Sequence, residues 1–332
     1  MNNLTEYILK ARPDSAESSI KAYTRILQKF LKHPNFIGEN DNETWIEDTE
    51  WIDKYIDGQE FTNSTRRNYY VALMIYCEGL NGGKYSQKWQ ELPEYLHFKN
   101  NADTLNDILK QNKGTTEKQA ENMPSGDEIQ QLLNKMKPKI KEYRAGLDWS
   151  SKTMPKDENN MFMAYVLINI YLELEVRNEI ATLTLLGKRE YNKMKEPNEN
   201  FIILEKGKTN IIRHKYKTAN AKSSGGTKIN ELSPNLKTII NQWIKYRNIQ
   251  KGQKLFPDLQ PNEEAKTSTA ELNLTKFLQR YFEKNLGKKV STTLMAKMNI
   301  QEKIGKEAIE TINKISKTRG TSQTTITTTY GT

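Results

Sequence analysis

Close to the C-terminal end of the chain, Gly320-Thr321-Ser322 leads through a threonine-rich run to Tyr330, with Lys317 and Arg319 just upstream. A phenol in a basic setting behind such a turn is a candidate nucleophile toward a phosphodiester, since an activated tyrosine can form a covalent intermediate. Tyrosine occurs 16 times here, so one copy near the end says little alone. The reading needs two partners upstream: a guanidinium that holds the phosphate and a lysine that protonates the leaving oxygen. Arg177 and Lys217 are the residues that stand out. Arg177 follows a long apolar stretch, in Leu174-Glu175-Val176-Arg177-Asn178-Glu179. A guanidinium beside a core is costly unless an anion meets it. Glu173, Glu175 or Glu179 would make that an ion pair; a phosphate would make it a clamp, because the planar fork matches two phosphate oxygens. Lys217 sits at the end of an expected strand, before a flexible turn, where a lysine is either simply exposed or able to reach a leaving oxygen as general acid.

The elements that must carry these residues follow from periodicity. Ile20, Tyr23, Leu27, Phe30 and Leu31 recur at helical spacing, with basic residues between them. Further helices are expected around Trp51–Ile56, around Tyr69–Tyr76, and over 102–111. Residues 1–112 thus read as a helical domain, with Trp45, Trp51 and Trp89 as core anchors. Residues 113–123 are polar and without apolar period, and read as a linker. The second domain, 124–332, opens with a helix carrying Ile129, Leu132, Leu133 and Met136, then a strongly apolar helix from Asn160 to Leu174. Strands are expected over Phe201–Leu204, over Ile211–Thr218 and after Gly225–Gly226. Helices resume from Leu236 and from Ala270. The fold class expected is mainly α with a small antiparallel sheet, an α+β arrangement.

Composition narrows the function. A net charge of +10 over 332 residues attracts polyanions, nucleic acid first and anionic membrane second. The plain alternative is a lysine-rich solvated surface. The single cysteine, Cys77, excludes an internal disulfide and a cysteine-based zinc site. His33, His97 and His214 have no metal-ligand spacing, so no metal and no cofactor is expected. No apolar run approaches the ~20 residues that cross a bilayer, and the first residues lack a signal-peptide core. No membrane partner and an intracellular location are the expectation.

The order of these features resembles the tyrosine recombinase (phage-type integrase) family over nearly the whole chain. Arg177-Asn178-Glu179 is similar to the first-arginine motif of integrases from virophages and related large-virus elements. Tyr216-Lys217-Thr218 with a later Gly-Thr looks like that group's lysine hairpin. The run from Gly287 to Leu294 looks like the lead into the second-arginine helix, and Gly320 to Tyr330 has the family's spacing from turn to nucleophile. The resemblance implies a helical core-binding domain (SAM-like) in the first half and a recombinase catalytic domain in the second. It implies that Tyr330 attacks the scissile phosphate to give a 3′-phosphotyrosyl link, that Arg177 neutralises the developing charge, and that Lys217 protonates the 5′-oxygen. It also implies double-stranded DNA as partner, tetrameric self-association on DNA, and a host nucleus, cytoplasm or viral factory for a viral element. Tyr330 lies two residues from the end, so no tail is expected to exchange between protomers.

The pattern breaks at one place. The family's second arginine would fall at Ala296, and the turn's histidine is replaced by Thr321. Losing one of two phosphate clamps would cost ~3–4 kcal/mol of transition-state stabilisation, by analogy with an oxyanion donor. Three accounts stay open: an inactivated recombinase that still binds DNA, a point charge from Lys297, or a swing of Arg319 into the site. Phosphate contacts are expected from Lys21, Arg25, Lys29, Arg66 and Arg67 in the first domain. In the second they are expected from Lys188, Arg189, Lys206, Lys208, Arg213, Lys215, Lys288 and Lys289. Such contacts position the duplex without reading its sequence.

Overall fold

The computed structural model describes residues 4–33, 43–111, 116–146, 155–219, 225–262, 268–304, 308–322 and 324–326. The chain divides into two compact units, Met1–Lys113 and Gly114–Thr332.

The first unit is helical: α1 (Leu4–Ala11), α2 (Glu17–Leu31), α3 (Thr49–Asp57), α4 (Asn63–Leu80) and α5 (Pro93–Gln111). Its core gathers aromatic rings around fully buried Phe30, with Tyr55 at 4.7 Å and Trp45 and Tyr69 at 5.7 and 5.6 Å between ring centroids. Gly79 lets α1 come down on α4, since a Cβ there would sit 2.2 Å from the Tyr7 carbonyl oxygen. Arg12, just past α1, ties the two helices by a fork onto the buried carboxylate of Glu78. Cys77 is buried in the same core, and burial pushes its thiol up, as suits a small packing residue.

The second unit is built on α7 (Gly126–Gly146), α8 (Lys156–Glu173), α10 (Pro234–Tyr246), α11 (Ala270–Leu286), α12 (Thr292–Ile304) and α13 (Ala308–Arg319), with short α6 (Glu117–Asn122) and α9 (Lys188–Asn192). Helix α8 is apolar nearly all round and runs through the core, burying Phe162, Val166, Leu167, Ile170 and Tyr171. Its sheet has four strands in sequence order, β1 (Thr184–Gly187), β2 (Asn200–Leu204), β3 (Thr209–Arg213) and β4 (Lys228–Glu231). Mainly α with a small sheet is what the fold is, but the sheet is mixed. β1 lies parallel to β2, while β2–β3 and β3–β4 are antiparallel. The extra strand is four residues, Thr-Leu-Leu-Gly, too short to show a period; α9 makes the crossover that parallel pairing requires.

The stretch expected to be a plain linker carries structure. Thr116 and Gln119 form a reciprocal capping box at the start of α6. Asn122 then accepts the Lys289 backbone N–H at 2.7 Å, and the Met123 carbonyl accepts from Lys288. The end of this segment is therefore fastened to the second unit. Replacing Thr116 by alanine should lower the stability of that unit by about 1 kcal/mol, the usual cost of losing such a cap, measured by urea unfolding. No change would show that the cap does not hold α6 in place.

Candidate functional site

Arg177 owes its position to the way α8 stops. The Glu173 carboxylate leaves the helix line to accept the Ser233 N–H and hydroxyl at 2.7 and 2.5 Å, at the N-cap of α10. Leu174 and Val176 bury alternately, and half-buried Arg177 then precedes a short 3-10 helix, Asn178–Thr182. Asn178 is held from both sides, accepting the Tyr171 hydroxyl at 3.0 Å and donating to Thr275 Oγ1 at 2.7 Å. The Arg177 guanidinium reaches across 144 residues of sequence and donates from Nη2 to Thr321 Oγ1 at 3.0 Å. Its Nε is buried with no hydrogen-bond partner. Among the described residues no carboxylate pairs with this guanidinium. Glu173 is engaged by Ser233 and Glu179 by Arg213.

Lys217 comes from a turn, not from a strand end. β3 stops at Arg213 because Asn200, buried at the start of β2, takes over the backbone. Its Oδ1 accepts the N–H groups of His214 and Lys215 at 3.0 and 2.9 Å, and its Nδ2 donates to the Lys215 carbonyl at 2.8 Å and to Thr182 Oγ1 at 3.1 Å. The next residues form a bend. Tyr216 is buried and donates to the Gly226 carbonyl at 2.6 Å, Lys217 is exposed, and Thr218 donates to the Gly320 carbonyl at 2.7 Å. The lysine therefore stands between two pinned neighbours. His214 beside it bridges Tyr191 and Thr227, each at 3.0 Å, and burial holds its pKa below the usual range, so the ring is neutral near pH 7.

The third component is the turn that follows α13. Gly320 takes the left-handed conformation, φ 66°, that lets a helix end with its last carbonyls bonded. The N–H groups of Gly320 and Thr321 both point to the Ser316 carbonyl. Thr321 and Arg319 are buried. Ser322 starts another helical turn by accepting the Thr325 N–H at 3.1 Å, and Ile326 buries against Ile300 and Ile315. Tyr330 lies outside the described residues. On α12, Ala296 is buried, and Lys297 is only 4% exposed with its amine held below the ordinary lysine range by burial. Position 296 thus carries no cation, and burial lowers the basicity of the amine next to it.

The structure brings together Arg177, the Lys217 turn and the Gly320-Thr321 turn, residues from three distant parts of the sequence. Buried or half-buried here and on the helices alongside are the cations Arg177, Arg213, Arg319 and Lys297 and the carboxylates Glu173, Glu175 and Glu179. Ser233 engages Glu173 and Arg213 engages Glu179.

No family model matches the sequence, and no curated protein does. One solved structure it is similar to is the crystal structure of XerA recombinase, with a TM-score of 0.40 and 12% identity over 99% of this chain and 93% of that one.

The remaining basic residues divide by exposure. Arg213, expected at the DNA surface, is 1% exposed. Its Nη1 meets Glu179 Oε1 at 2.6 Å, and its Nη2 donates to the Thr318 carbonyl at 2.8 Å and to Asn230 Oδ1 at 3.2 Å. The alternation of β3 turns it inward, so it is an internal strut and not a phosphate contact. Lys288 is half-buried and spends its charge on Glu128 at 2.7 Å, which holds that carboxyl below its usual range. Lys289 stays exposed, 3.3 Å from Glu283. Lys215 and Arg25 are exposed, and Lys21 is exposed beside Glu17. Arg66 pairs with Asp57 at 3.1 Å, and Arg67 is half-buried and donates to Asn68. Among the described residues no group of His, Cys, Asp and Glu could hold a metal ion, and no helix is long and apolar enough to cross a membrane. Sequence reasoning missed Asn200, Thr218 and the Arg213–Glu179 pair. Only Asn200 left a trace, as an amide directly before the apolar run Phe201–Leu204.

Proposed function

We propose that this protein is a DNA strand-transfer protein of the tyrosine recombinase type, a site-specific recombinase or integrase of a mobile or viral element. One observation supports the reading above others: the Arg177 guanidinium, free of any described carboxylate, bonds to Thr321 in the turn that leads to Tyr330, while Thr218 beside Lys217 bonds to Gly320 in that turn. In this reading Tyr330 attacks the scissile phosphorus and a 3′-phosphotyrosyl bond forms as the bond to the 5′-oxygen breaks. Arg177 stabilises the non-bridging oxygens, and the Lys217 ammonium delivers the proton to the leaving 5′-oxygen. The covalent link conserves the energy of the broken bond, so the reverse attack by a 5′-hydroxyl rejoins the strand. Duplex DNA is the partner. A tetramer on two duplexes is the assembly that the resemblance to tyrosine recombinases implies. The setting is an intracellular one in which the element's DNA is accessible.

The second reading is a DNA-binding protein derived from such an enzyme and without its chemistry. Ala296 favours it, since a buried alanine offers nothing to the phosphate and neighbouring Lys297 is itself buried, which lowers its amine below the ordinary lysine range. A duplex nicked near the crossover site, which traps the covalent step, separates the readings. A protein–DNA band that disappears in Tyr330→Phe supports the enzyme. A band absent in the wild type and gained in Ala296→Arg supports the inactive derivative. No duplex binding at low salt removes both.

A further inference from the structure

We infer that Arg213 is a positioning residue whose task is to occupy the Glu179 carboxylate, so that Arg177 stays available to an anion. The inference rests on the reading of Arg177 as a phosphate ligand and adds to it the side chain that makes that role possible.

The geometry is a closed ring of contacts. Arg177 donates to Thr321 at 3.0 Å, and one and three residues back along the chain the carbonyls of Gly320 and Thr318 are taken by Thr218 at 2.7 Å and Arg213 at 2.8 Å. Arg213 then bonds Glu179 at 2.6 Å, two residues from Arg177. Glu179 is buried and leans toward Arg177, where the Arg177 backbone N–H points at Glu179 Oε1 at 3.4 Å. A buried carboxylate must find a cation or shed its charge. With Arg213 at 1% exposure and fixed at three points, Glu179 is neutralised from the β3 side. Among the described residues Arg177 is left with a single side-chain bond, to a neutral hydroxyl, and a buried Nε without a partner. Remove the Arg213 charge, and Glu179 needs another cation, for which the Arg177 guanidinium, two residues along the chain, is available. Its fork would close on the carboxylate and be lost to a phosphate. On this account the effect of Arg213 on DNA passes through Arg177, and no contact between Arg213 and DNA is involved.

A cycle of full-length variants tests this by fluorescence anisotropy of a labelled duplex at several salt concentrations, with circular dichroism as the check on folding. Arg177→Ala should weaken binding about tenfold, one phosphate contact's worth, and lower the salt slope by ~0.9. Arg213→Met should do the same. In Arg177→Ala/Arg213→Met the second substitution should add nothing further, because both act on one guanidinium. Arg213→Met/Glu179→Gln should return to within about threefold of wild type, since an amide does not capture a guanidinium as a carboxylate does. Arg213→Lys, which keeps the charge on Glu179 and replaces the methionine variant in the cycle if that variant fails to fold, should also stay within about threefold. Additive losses in the Arg177→Ala background, or failure of Glu179→Gln to rescue a folded Arg213→Met, would overturn the inference. An Arg177→Ala variant that binds as tightly as wild type would instead overturn the phosphate role of Arg177.

Discussion

Replacing Arg177 with alanine should slow covalent capture on a nicked duplex about a hundred- to a thousandfold while leaving the fold nearly untouched. The rate estimate comes from the loss of one charge-stabilising donor in a water-poor site, ~3–4 kcal/mol, at ~1.4 kcal/mol per tenfold change. The stability estimate comes from the contacts. Arg177 is half-buried, and among the described residues its side chain makes one hydrogen bond, to Thr321, which is worth about 1 kcal/mol net. The two effects are therefore far apart, and this separates a phosphate ligand from a structural arginine. Arg177→Lys should fall between, because an ammonium supplies the charge without the fork. The check is the time course of the gel-shifted covalent band beside a urea midpoint for each variant. Unchanged band formation in Arg177→Ala would remove this residue from the chemistry. Loss of the band in step with loss of folding would assign it to the core instead.

How far the sequence could foretell this site depended on the kind of signal each residue leaves. Arg177 was legible because a long apolar helix ending in a cation is rare, and the helix that stops at Glu173 is there. Lys217 was legible as a residue near a turn, but its strand, expected to run to Thr218, stops at Arg213. What ends β3 is the Asn200 side chain from the neighbouring strand, and a cap that reaches across a sheet has no local pattern. Arg213 was misplaced for a related reason. In a basic chain every arginine on an alternating strand looks like a surface cation, and the parity that turns one inward is fixed only by register. Its pairing, Ile212 opposite Phe201 and Arg213 opposite Asn200, sends the guanidinium to Glu179. β1 was missed because four residues cannot display a period of two, and its parallel partner lies beyond a crossover. Residues 113–123, expected as a polar linker, include a polar segment with a Thr-x-x-Gln start that forms a capped turn of helix. The turn at Gly320 was legible from its glycine, and its bonds to Arg177 and Thr218 were not, because nothing in either stretch names the other.

In the first unit, Arg12→Ala should cost about 2 kcal/mol of folding stability, and Glu78→Met should cost much less. The asymmetry follows from burial. Glu78 is 2% exposed inside α4, whereas the Arg12 side chain is 40% exposed. Take the arginine away and a carboxylate is left in the core without its bidentate partner, beside Tyr95, whose phenol is pushed up first by burial and then by the Glu78 charge. Breaking a fully buried pair by removing one member costs ~3–5 kcal/mol; the exposed guanidinium in this pair reduces that figure, because water already screens part of the attraction. Take the carboxylate away instead and the guanidinium turns out into water, with its stem still covering apolar surface, while methionine fills the space of the glutamate. The pair therefore serves as a latch between the end of α1 and α4, at the same contact that Gly79 makes close. Guanidinium unfolding followed by tryptophan fluorescence would resolve it, since Trp45, Trp51 and Trp89 lie in this unit and report its transition. Equal losses for the two substitutions would mean that the bond itself, rather than the stranded charge, carries the stability, and a loss below about 0.5 kcal/mol for Arg12→Ala would mean that Glu78 finds water in the folded state.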